Sequence, residues 1–179
     1  MTNESAVKTR SNTFTGLSAA LLCILGPMSL PIGPVPISLT NLVLYFMLYI
    51  LGWKRTTISY VIYLLLGLVG LPVFSGYIGG LAKLAGPTGG YLIGFIPMAI
   101  ISGLVIQRSQ RRIVQIVAMV FATLVCYAFG TAWYCVQAGV TFFAALSVCV
   151  IPFLPGDFIK IIAATLVGPN IRKRIKDVQ

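Results

Sequence analysis

YLIGFIPMAIISGLVIQRSQRRIVQIVAMVFATLVCYAFGTAWYCVQ, Tyr91 to Gln137, decides the fold. Two apolar runs, Tyr91 to Gln107 and Ile113 to Gln137, flank a break that holds Arg108, Arg111 and Arg112. A helix rises about 1.5 Å per residue and the hydrocarbon core of a bilayer is about 30 Å thick, so runs of this length read as membrane spans. A span must satisfy its own backbone hydrogen bonds, which makes it helical. The basic break reads as a cytoplasmic turn, because Lys and Arg are retained on that side of short loops.

Working outward, the same pattern repeats. Further apolar segments run from about Phe14 to Leu30, Leu39 to Trp53, Thr56 to Leu71 and Gly156 to Gly168. Of the 13 Lys and Arg residues, all but Lys83 and Lys160 fall in four groups: Lys8 with Arg10, Lys54 with Arg55, the arginines of the break, and Arg172, Lys173, Arg174 with Lys176. Six spans put every group on one side, whereas five or seven would strand the last. The expectation is an all-α membrane protein with six transmembrane helices and both termini cytoplasmic. It is a single integral membrane domain over residues 1–179, with cytoplasmic tails at about 1–12 and 170–179. Lys8 and Arg10 before an apolar run resemble a secretory signal, but no small-x-small cleavage site follows, so an uncleaved first span is expected. A piece from Val140 to Leu154, closed by Pro152 and Pro155, reads as a membrane-surface helix, a half-span or an extension of the sixth helix.

Composition agrees. The chain is 58% hydrophobic and 9% charged, against about 25% charged in soluble domains, which excludes a soluble enzyme. The net charge of +10 is a topology signal, not a nucleic-acid footprint. Histidine is absent, removing Ser-His and Cys-His nucleophiles and His-based metal sites. Cys23, Cys126, Cys135 and Cys149 lie in apolar stretches without C-x-x-C spacing and read as small packing residues. No phosphate-loop motif occurs, so if the chain moves a solute uphill the energy comes from another subunit. No catalytic residue, metal or cofactor is expected.

Three segments remain after the topology is explained. In LPGDFIKIIAATL, Asp157 and Lys160 are three residues apart and share a helical face. Isolated ionisable groups at mid-helix cost roughly 2.5 to 3.5 kcal/mol and usually face a cavity or a partner. The pair reads either as a ligand site or as an ion pair anchoring the outer helix end. Pro72 to Tyr91, PVFSGYIGGLAKLAGPTGGY, holds six of the 18 glycines, so its backbone turns sharply. With Phe74, Tyr77 and Tyr91 interleaved it reads as a lid or as an ordinary loop, and Lys83 as a loop charge that can also attract an anion. SLPIGPVPISLTN, Ser29 to Asn41, is an extended rim fixed by Pro31, Pro34 and Pro36. It delivers Ser38, Thr40 and Asn41 to the start of span two, as helix caps or as ligand contacts. On span one, Gly16 and Ala20 have the small-x-x-x-small spacing that admits a neighbouring helix, within the chain or from a partner.

With PVPISLTN, LGWK, YLLLGLVGLPVFSGYIGG, GPTGGYLIGF and LPGDFIK in this order, from about Leu17 to Val167, the chain resembles the BioY family. These are the biotin-specific substrate-binding (S) components of energy-coupling factor (ECF) transporters. GPTGGY and PGDxxK together are specific; the proline rim alone is weak. The resemblance implies a six-helix membrane protein that admits biotin from outside under its first and third loops. It implies association with a membrane-embedded coupling subunit and two cytosolic ATPases, within the lipid bilayer. It places Asp157 and Lys160 at the vitamin, which presents a urea at one end and a valerate carboxylate at the other. Tyr91 contributes from GPTGGY, with Gly89 and Gly90 allowing close backbone approach. The family has Gln where this chain has the shorter Asn41. Its helix-one docking surface maps onto Gly16 and Ala20, where Gly replaces the usual Ala. The rival readings are an S component for another small vitamin and a small intramembrane enzyme using Asp157 and Lys160 as acid and base.

Overall fold

The computed structural model describes residues 3–31 and 35–177, without the side chains of residues 3, 4, 6, 7 and 175–177. Pro34 of the rim, and the side chains of Glu4, Lys176 and Asp177, therefore lie outside the described residues. The elements in order are α1 (Asn3–Leu25), β1 (Ser29–Leu30), β2 (Ile37–Ser38), α2 (Thr40–Leu51), α3 (Trp53–Leu68), α4 (Leu81–Ala85), α5 (Gly89–Arg108), α6 (Arg112–Ala138), α7 (Phe142–Cys149) and α8 (Leu154–Asp177). Each of the six expected spans corresponds to a helix. The first helix starts earlier than expected, at Asn3, and the last runs past Gly168 and through Pro169.

Two helices, α5 and α6, are long and apolar enough to cross a bilayer among the described residues, and a third crossing arises if α7 and α8 form one span bent by 51°. The Val140 to Leu154 piece is thus a short helix hinged to the last one. α2 has 12 residues, about 18 Å of helix. It is apolar nearly all round and occupies the core, with Val43, Leu44, Tyr45, Met47, Leu48 and Tyr49 buried. Only Gly52, at φ 77°, separates α2 from α3. That left-handed value suits glycine, which lets the chain reverse within one residue.

One end of the molecule gathers the basic turns. Gln107, at the end of α5, packs against Gly52. Tyr49 donates to Gln115 Oε1 at 2.9 Å, Gln115 Nε2 donates to the Ser109 carbonyl at 2.7 Å, and the Tyr49 ring lies against Gly168 of α8. The α2–α3 joint, the α5–α6 turn and the distal part of α8 therefore meet.

The other end carries the rim and the glycine-rich segment. The rim closes as a small antiparallel ribbon, Ser29 opposite Ser38 and Leu30 opposite Ile37. Phe74 is fully buried, edge-on to Tyr63 and against Gly67, while Tyr77 is exposed. Trp133 Nε1 of α6 donates to the Gly86 carbonyl at 2.9 Å and ties this segment down. All four cysteines are free thiols.

Candidate functional site

Between the rim, α2, α3, α5, α6 and α8 lies a cavity enclosing about 650 Å³ not filled by atoms, open solvent at its mouth included. Its wall is mostly apolar and aromatic, with Val35, Tyr63, Leu92, Phe95, Met98 and Phe153 among the lining residues. Asn41, Tyr91, Asp157 and Lys160, four of the residues expected to bind ligand, line it together.

The charged wall is built from three helices and the rim. Asp157 sits in the first turn of α8, where backbone N–H groups favour an anion. One turn later Lys160 reaches back, its Nζ 3.1 Å from Asp157 Oδ1. Lys160 also donates to Asn41 Oδ1 and to the Ser38 carbonyl, each at 2.9 Å. Asn41 Nδ2 donates to Asp157 Oδ1 at 2.7 Å, and Asn41 Oδ1 accepts from the Leu42 amide at 3.0 Å. The Tyr127 hydroxyl donates to Asp157 Oδ2 at 2.6 Å. A buried carboxylate without such donors would be costly to ionise. The short amide of Asn41 suffices to reach both partners.

Tyr91 is buried, its hydroxyl donating to the Cys149 carbonyl at 2.6 Å and its ring edge-on to Tyr127 at 6.5 Å. Gly89 and Gly90, expected to let a ligand approach the backbone, do not line the cavity. A Cβ at Gly89 would meet the Leu84 carbonyl, and one at Gly90 would meet Trp133 and the Phe129 carbonyl. Their missing side chains let α5 pack against α4 and α6 instead. Gly16 and Ala20 are exposed on α1, and apart from the adjoining backbone of α1 itself no atom of the described residues would lie within 4 Å of a Cβ at Gly16. Lys83, in α4, is half-buried away from the cavity, and burial pulls its ammonium below its ordinary value.

Sequence reasoning did not single out Tyr127, Ser75 or Thr88, all of which line the cavity. Thr88 is 7% exposed, and its hydroxyl has no hydrogen-bond partner among the described residues. It immediately precedes α5 at the cavity wall. No cluster of His, Cys, Asp or Glu able to hold a metal occurs among the described residues.

The BioY family profile matches residues 1–177. The chain is 40% identical over 174 residues to a protein of Rhizobium etli named biotin transporter BioY, across 90% of this chain and 92% of that one. It is 34% identical over 163 residues to the Thermotoga maritima protein of the same name, across 88% and 93%. A crystal structure described as the S-component for biotin from an ECF-type ABC transporter superposes with a TM-score of 0.84 at 34% identity, covering 97% of this chain and 95% of that chain.

Proposed function

Because the chain belongs to the BioY family, we propose that it is the biotin-binding S component of an ECF-type ABC transporter. It is an integral membrane protein of a family of transporter components, not of enzymes. It captures the vitamin outside and releases it inside, driven by a membrane coupling subunit and two cytosolic ATPases. One observation carries the ligand reading: an acceptor-only carboxylate tied to an ammonium on the wall of a mostly apolar cavity.

Biotin's urea presents two N–H donors and one carbonyl acceptor. Asp157 accepts an N–H, and the second Nδ2 hydrogen of Asn41, which donates its first to Asp157, stands beside it to meet the carbonyl. Lys160 spends its three hydrogens on Ser38, Asn41 and Asp157, so it orients the urea-binding pair and leaves none for the valerate. The valerate then points toward the start of α5, where the Thr88 hydroxyl supplies a donor. Tyr91 forms part of the wall between the two ends. Gly16 and Ala20 present an unoccupied small-residue face of α1 to the coupling subunit.

Mass spectrometry of ligand retained by the purified chain, followed by calorimetric titration with biotin, tests this reading. Biotin should be retained and bind saturably, and Asp157→Asn should weaken it about ten- to a hundredfold by turning an acceptor into a donor. Retention of a different vitamin, or of nothing together with a flat titration, would overturn it.

A further inference from the structure

Asp157 stands between two spaces. Beyond the cavity, a second crevice runs between α6 and α8, lined by apolar Val120, Leu124, Leu154, Phe158 and Ile161. Leu124, Leu154 and Phe158 of its lining are about half exposed. Thr123, Tyr127 and Asp157 line both spaces. The carboxylate therefore has two directions in which to turn, and only one faces the ligand.

A carboxylate offers about four lone-pair sites over its two oxygens. Oδ1 accepts from Asn41 and Lys160, and Oδ2 accepts from Tyr127, leaving one site on Oδ2. The Tyr127 ring is itself set edge-on against Tyr91, whose hydroxyl is fixed to the Cys149 carbonyl. We infer that Tyr127 is a positioning residue for ligand recognition: it pins Oδ2 of Asp157 so that the remaining lone pair meets a ligand N–H in the cavity and the carboxylate does not swing into the crevice. This inference rests on the reading of Asp157 as the urea acceptor.

The test is calorimetry on the full chain in detergent, with biotin and with its two isomers methylated at a single urea nitrogen. Methylation of the nitrogen that meets Asp157 removes the donor. Tyr127→Phe should weaken biotin about tenfold or more and weaken that methylated isomer much less, so discrimination between them collapses. Replacement of Tyr127 by 4-aminophenylalanine, which keeps a donor, should restore both affinity and discrimination, while 4-methylphenylalanine of similar size should not. That matched pair also serves if the Phe variant fails to fold. Unchanged biotin binding by Tyr127→Phe, or an equal loss for biotin and both isomers, overturns the positioning role while leaving the biotin reading intact. A parent chain that binds no biotin overturns both.

Discussion

Lys160 donates to three acceptors on three different elements, so its ammonium is held by the protein's own groups. Lys160→Met should therefore weaken biotin and biotin methyl ester by similar factors, whereas Thr88→Val should weaken biotin several-fold more than the ester. Paired titrations of each variant decide which group reads the carboxylate; a selective loss of the acid in Lys160→Met would reverse the assignment. Asp157 and Lys160 were legible in the sequence because a charge inside an apolar chain has few uses. Tyr127 was not, since it is one of eight tyrosines with no spacing that marks it. Only packing brings its hydroxyl across from α6 to the carboxylate of α8.

Among the elements, α1 keeps Ala19 and Leu22 buried and turns Gly16, Leu17, Ala20 and Ile24 outward. Replacing Gly16 and Ala20 together by Leu should sharply reduce copurification with the coupling subunit while leaving biotin titration of the isolated chain nearly unchanged. Loss of binding with assembly preserved would place the partner surface elsewhere. The outward face follows from three dimensions, because small-x-x-x-small spacing is the same whichever side is packed. For the same reason the sequence did not separate glycines that admit a ligand from glycines that admit a helix, and Gly89 and Gly90 proved to be the second kind. Helix α7 was legible as an apolar segment but not in its angle, since the 51° bend arises where Val150 to Phe153 join it to α8.

For the whole molecule, the gathering of the α2–α3 joint, the α5–α6 turn and the distal part of α8 at one end agrees with the grouping of basic residues that the sequence displays. In a background lacking native cysteines, Cys at Lys54 or Arg111 should resist an impermeant thiol reagent in intact cells, and Cys at Lys83 should react. The opposite labelling pattern would overturn six spans with both termini inside. Span number itself is hard to read from helix length here, because α2 is short and lies at the centre, where neighbouring helices replace lipid.

The bond from Lys160 to the rim ends on the main-chain carbonyl of Ser38, a group that every amino acid carries. Substitution at position 38 leaves that tether in place, whereas substitution of Lys160 removes it. Position 38 can thus exchange its side chain, and with it the polarity of the cavity mouth, without unfastening the rim from the lysine.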